Sequence, residues 1–348
     1  VGALALLAPR LLARFGAAVR VTRLLQVAQQ QRPADLERSA AYHAVLPPEP
    51  SGAPLDDRTW KDLDLDAVFV SLDHTASEPG RQVLYHVLRT PRDDAEPLER
   101  LERVVRELDA DDALRDRARA TLARLSDTRA GYFVDLLFGE LPRRPGFWWI
   151  FPLLTAGAIA CLALTPLWPR AVVVWVGICV VNVVVQVLYK PRVKRFIPAL
   201  HELPAFVGVA ASLAELPATE LDGERRVLGD AASRLGTLRR ATRWLTFEPG
   251  QANELAAMLY EYVNLLFLLD VNAFVFATEA IRDARAVLRN AFAAIGYVDA
   301  AQAIAEWRRA LPRWSTPEFT EPRKAVHVSD VVHPLLAAAV PNSLAVEE

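Results

Sequence analysis

The sequence predicts a mainly α-helical membrane protein, in which a two-helix transmembrane hairpin interrupts helical core segments and a short β-rich segment closes the chain. Three observations carry this. Pro145 to Pro169 and Ala171 to Tyr189 hold no charged residue, and each run is near the roughly 20 residues that cross a hydrocarbon core about 30 Å thick. Much of the remainder repeats apolar residues at helical spacing among charged ones, the mark of amphipathic helices. From Ala325 onward β-branched residues, His333-Pro334 and Pro341-Asn342 replace that pattern, as short strands and turns require.

Composition narrows the class. Of 348 residues, 52% are hydrophobic and 24% charged, which excludes a disordered chain. Lys and Arg number 40 against 42 Asp and Glu, so no overall positive field draws in nucleic acid. Two cysteines cannot staple a secreted scaffold. The chain opens at Val1 and its single methionine is Met258, which predicts an unusual start or a cut N-terminus.

Taken in order, residues 1–45 read as a basic amphipathic helix, with Arg10, Arg14, Arg20 and Arg23 set among Leu, Val and Phe. Such a helix lies on an anionic membrane surface or packs on a cytoplasmic domain. Residues 46–54, rich in Pro and Gly, form a linker. Residues 55–142 make a first set of core helices. The hairpin occupies 143–195, with spans at about 147–168 and 171–189. Arg143, Arg144, Lys190, Arg192, Lys194 and Arg195 flank it, against Arg170 alone in the turn. The positive-inside rule then puts both termini in the cytoplasm of an inner-membrane protein, with lipid as its first partner. Within the second span Asn182 and Gln186 share a helix face. They are expected to bond to the other helix of the hairpin or to a second copy of the chain. Residues 196–324 hold a second helical set, about 195–217, 225–246, 250–291 and 298–311. Within it, Val263–Ala277 is expected to be a buried core helix despite Asn264, Asp270 and Asn272. Residues 325–348 open a separate β-rich domain.

No catalytic constellation is visible. The four lysines are Lys61, Lys190, Lys194 and Lys324, and none follows glycine, so there is no phosphate loop. No G-x-S-x-G elbow or H-E-x-x-H helix occurs, and the six histidines lack metal-ligand spacing. Asp56, Asp57, Asp62, Asp64 and Asp66 lack the glycine and closing glutamate of a calcium loop. They read as acids at helix starts. Arg115, Arg117, Arg119 and Arg124, or Arg239, Arg240 and Arg243, could meet phosphates. With Glu107, Asp109, Asp111 and Asp112 ahead of the first group, a solvated helix face is the plainer reading.

Two segments resemble the MutS family of mismatch-repair ATPases. The first is Leu55-Asp56-Asp57-Arg58-Thr59-Trp60-Lys61-Asp62-Leu63, continuing through Leu72-Asp73-His74-Thr75-Ala76-Ser77-Glu78-Pro79-Gly80-Arg81 to Leu88-Arg89-Thr90-Pro91. It is similar to the start of the family's helical core, with Asp62 in place of an asparagine and Gln82 in place of an arginine. The second runs from Ile295-Gly296-Tyr297-Val298-Asp299 through Pro317-Glu318-Phe319 to His333-Pro334-Leu335 and Val340-Pro341-Asn342. It resembles the stretch from the family's lever helix into its ATPase domain, with Val332 where arginine is usual. The resemblance implies a fold of MutS core and lever type, with 325–348 the start of a truncated ATPase domain. It implies no catalytic residue and no cofactor in this chain. ATP and Mg would bind a downstream domain, with Asn342 and His333 supporting the adenine side and homodimerisation driven by that domain. DNA binding is a family implication for which this chain carries no mismatch-reading domain. The function implied is the non-catalytic core and lever of a membrane-anchored, mismatch-repair-like ATPase. The alternative is a complete non-enzymatic membrane adaptor for a partner ATPase or membrane protein.

Overall fold

The computed structural model describes residues 33–47, 54–92, 94–126, 133–141, 145–194, 196–236, 254–319, 325–336 and 339–347. The amphipathic helix expected in the first 32 residues, most of the 46–54 linker and the Arg239–Arg243 cluster lie outside them. The described chain is mainly helical and carries one small antiparallel sheet near its C-terminus. It divides into two compact units. One holds the residues up to 123, 216–224 and 293 onward; the other holds 124–215 and 225–292.

Unit 1 begins with α1 (Pro33–Val45), α2 (Asp57–Asp62), α3 (Leu65–Leu72), α4 (Glu78–Arg89), α5 (Ala95–Ala110) and α6 (Asp112–Leu122). Side-chain caps start three of these helices. Asp56 accepts from Thr59 N at 2.8 Å, the Ser77 hydroxyl from Gly80 N at 3.1 Å and Asp111 from Leu114 N at 3.0 Å. Each satisfies an amide that the first helical turn leaves without a partner. The acids near Asp56 therefore serve helix starts and local pairs: Asp66 accepts from Trp60 Nε1 at 2.9 Å, and Asp57 pairs with Arg89. Trp60, Phe69, Val70, Leu84 and Tyr85 close a core with Ala300 and Ala303. Those alanines belong to the last part of α13 (Leu269–Ala310), a helix of 42 residues and so about 63 Å long. The sequence suggested separate helices over 250–291 and 298–311. The apolar period instead continues through Ala293–Ala301, and the helix runs on across Gly296.

Unit 2 contains α7 (Phe133–Phe138), α8 (Ile150–Leu164), α9 (Ala171–Lys194), α10 (Ile197–Ala214), α11 (Asp222–Arg234), α12 (Glu254–Phe267) and α13 up to Phe292; the first three residues of α11 belong to unit 1. Phe133, Leu136, Leu137, Phe206 and Leu213 bury one end of it. Arg285 and Arg289 donate to the carbonyls of Leu136, Gly139 and Leu137, fastening the end of α7 to α13. At the other end α8 and α9 form a hairpin. Ala171–Tyr189 is long and apolar enough to cross a membrane, and only 22% of that stretch is buried. A core helix of a soluble protein would be mostly covered. Instead Val173, Val180, Val184, Val187 and Leu188 are more than half exposed, an apolar surface that water does not favour. The α8 helix is apolar but shorter, 15 residues.

The sheet is β1 (Ala325–Val331) paired antiparallel with β2 (Asn342–Glu347), irregular between Val328 and Val331, where Asp330 adopts φ 51°. Val326, Val331, Leu344 and Val346 are about half exposed.

Candidate functional site

Two constructions stand out, one in each unit. In unit 1 the two segments that carry the family resemblance meet. Asp299, fully buried on α13, accepts from Ala76 N at 3.0 Å, Ser77 N at 2.7 Å and the Ser77 hydroxyl at 2.5 Å. Ser77 caps α4, so the carboxylate faces the positive end of that helix. Close approach requires two glycines. A Cβ on Gly80 would stand 2.6 Å from Asp299 Cβ and nearer still to its carboxyl. One on Gly296 would stand 2.7 Å from Val83 Cβ and 2.8 Å from Pro79 O. Asp73 completes the joint: it accepts from the Thr75 hydroxyl at 2.5 Å and pairs with Arg81 at 2.8 Å. Burial pushes the Asp299 carboxyl up to about 6, against the downward pull of its hydrogen bonds from Ala76 and Ser77. The motif residues Asp73, Thr75, Ser77, Gly80, Arg81, Gly296 and Asp299 thus form one helix-to-helix joint.

In unit 2 a polar cluster sits among apolar helices. The expected buried helix over Val263–Ala277 is instead broken: α12 and α13 meet at Leu268, whose φ is 51°, with a bend of 65°. A branched residue in the left-handed region breaks the ladder, and the last carbonyls of α12 need other donors. Asn182 Nδ2 donates to Leu266 O at 2.5 Å, and the Thr155 hydroxyl donates to Phe267 O at 2.7 Å. Asn272 Nδ2 supports Thr155 at 2.8 Å. Across the break Asn264 of α12 and Asp270 of α13 bond reciprocally. Asp270 N donates to Asn264 Oδ1 at 2.9 Å, Asn264 Nδ2 donates to Asp270 Oδ2 at 2.6 Å, and Tyr260 adds a bond to Asp270 at 3.0 Å. Asn182 Nδ2 therefore reaches α12 rather than α8, the other helix of the pair. The role of Thr155 had no sequence signal beyond a hydroxyl in an apolar run, whereas Asn264, Asp270 and Asn272 were visible as interruptions.

The residues assigned to a nucleotide lie at one end of the C-terminal hairpin. His333 is exposed and its Nδ1 accepts from Leu335 N at 3.3 Å. Asn342, also exposed, pairs with Val331 across the sheet and donates to Val340 O at 3.2 Å. Both side chains are polar and open to solvent. Arg115 and Arg119, read as candidate phosphate contacts, are engaged within the protein. Arg115 is buried and donates to Leu108 O while pairing with Asp112; Arg119 pairs with Glu306. Among the described residues no three His, Cys, Asp or Glu side chains converge to hold a metal ion. A cleft of about 400 Å³ beside α5 is lined by Leu98, Leu101, Ile304 and Phe319, and its polar edge is the Glu102–Arg308 pair at 2.7 Å.

No family model matches this chain, and none of the curated proteins or solved structures searched is similar to it.

Proposed function

We propose that this chain is the helical core and lever of a membrane-anchored, MutS-related ATPase, coupling ATP-driven changes in a nucleotide-binding domain to the membrane. One observation carries the reading. The two segments chosen for their resemblance, more than two hundred residues apart, meet at a glycine-dependent joint around Asp299. Residues that merely happened to match two motifs would have no reason to share one buried carboxylate. The α13 helix adds support, since it is one unbroken helix of 42 residues that carries Asp299 and ends shortly before β1. A long helix of this kind suits a two-state lever. In this reading lipid surrounds the α8–α9 hairpin, both termini are cytoplasmic and a second copy pairs through the nucleotide-binding domain. His333 and Asn342 then stand near the adenine, while residues 1–348 alone hydrolyse no ATP.

The test uses the native protein. An antibody raised to residues 97–126 should detect a chain heavier than 38.5 kDa in alkali-washed membranes of the source cell, and that band should label with a photoreactive ATP. An unlabelled band at 38.5 kDa would overturn the lever reading in favour of an adaptor.

A further inference from the structure

We propose that Met258–Phe276 is a re-entrant membrane segment, dipping into the bilayer beside the hairpin, turning at Leu268 and leaving on the side it entered. The inference rests on the membrane reading of α8 and α9 and adds a third embedded element to it. Its two arms are together apolar enough for a span but bent by 65° at the break. Met258, Leu259, Tyr262 and Phe276 are more than half exposed, although the segment packs on both hairpin helices. Acyl chains are the occupant that matches this surface, because it is apolar and belongs to a segment packed on α9, which exposes apolar residues of its own.

Non-helical backbone survives at membrane depth only where protein groups satisfy it. Here Asn182 and Thr155, on α9 and α8, bond two of the carbonyls at the break, those of Leu266 and Phe267. Depth is consistent along both helices, α9 and α12. Asn182 lies seven residues before Tyr189, the end of the apolar run, which places the break about 10 Å below that end at 1.5 Å per residue. Glu261 lies seven residues before Leu268, so the same rise, about 10 Å, returns it to the interface. Tyr260 and Tyr262 accompany it there, as interfacial aromatics do. Asp270, the one carboxylate near the turn, is held by Asn264 and Tyr260.

Parity decides between a crossing and a re-entry. Ser77 and Asp299 are hydrogen-bonded, so they lie on one side of the membrane and the chain between them crosses an even number of times. The hairpin supplies two crossings. The other apolar helix between them, α10, is largely buried in the protein, with Phe206, Val207, Val209 and Ala210 at 1% exposure or less. A single further crossing at Met258–Phe276 would leave the count odd.

The experiment uses the full chain with Cys161→Ala and Cys179→Ala, and one new cysteine at a time: Val263→Cys, Phe276→Cys, Val173→Cys in the hairpin or Asp116→Cys on exposed α6. Membranes opened by freeze–thaw meet a charged, membrane-impermeant maleimide from both faces. Cysteines at 263 and 276 should react at least an order of magnitude more slowly than that at 116, as at 173, and detergent with denaturant should release all of them. Rapid labelling at 263 with 173 still protected overturns the re-entrant segment alone. Rapid labelling at 173 as well overturns the membrane reading beneath it. Protection at 263 that is lost when vesicles hold one chain each assigns the face to a second copy and overturns the lipid occupant.

Discussion

Gly80→Ala tests the joint most directly. The added methyl would sit 2.6 Å from Asp299 Cβ, with the carboxyl closer, and neither partner can yield by a simple rotation. The side chain is fixed by three donors, and backbone flanks it on the α4 side. Overpacking of this kind costs about 2 kcal/mol, and pulling the carboxylate off even one of its donors adds about 2 kcal/mol. Replacing a helical glycine returns up to about 1 kcal/mol. The net loss is therefore about 3 kcal/mol, or roughly a hundredfold in the opening equilibrium. Hydrogen exchange of the amides in 80–89 and 296–305 reads this directly, since protection there reports the free energy of opening. Gly296→Ala, blocked by Val83 and Pro79 O, should act alike. Gly177→Ala, with no atom within 4 Å of its added Cβ, should leave protection unchanged. If Gly80→Ala loses less than about threefold in protection, under 1 kcal/mol, the glycine-dependent joint is wrong.

Three further outcomes follow. The folded Asp299 carboxyl, at about 6, is raised above its unfolded value, so the folded state binds the extra proton. Its contribution falls as pH rises from about 4 to 6, on the order of 3 kcal/mol at most, and Asp299→Asn should remove that slope from denaturant unfolding curves. The His43 and His86 Nδ1 atoms stand 3.0 Å apart, an arrangement only one protonated ring can keep, and burial, then His86 and Arg89, lower the His43 pKa. Stability from this pair is held above the ordinary histidine range and lost as pH falls below it, so protection in α1, taken relative to intrinsic exchange at each pH, should fall between pH 7.5 and 5.5 and not in His43→Gln. Asn182→Leu strands Leu266 O in an apolar setting and should cost about 1–2 kcal/mol, measured by thermal unfolding in micelles; Thr155→Val should do the same at Phe267 O. An unchanged midpoint in both would show that the break needs no caps.

The helical class, the long apolar helix over Ala171–Tyr189 and the C-terminal strands were legible because each leaves a local pattern of apolar and polar residues in the chain. The joint was half legible. Asp73, Thr75, Gly80 and Asp299 could be marked as a pattern, but a string of residues does not say that Gly80 makes room for Asp299. The broken helix was not legible. Leu268 is no breaker, and nothing local to 263–277 announces that the donors replacing its lost bonds come from Thr155 and Asn182. Polar residues in an apolar run were read as noise within a helix, whereas they mark the place where the helix stops. His333 and Asn342 show the reverse limit, since the motif locates them but their exposed turn contacts supply no ligand geometry.

The capping of α12 also sets an order of assembly. Thr155 and Asn182 emerge from the ribosome long before Leu266 and Phe267. During synthesis the donors are therefore already made when the carbonyls that need them arrive. A circularly permuted chain that made α12 first would expose those carbonyls before either donor existed. Biogenesis of this unit thus has a direction, written into which helix supplies the caps and which one borrows them.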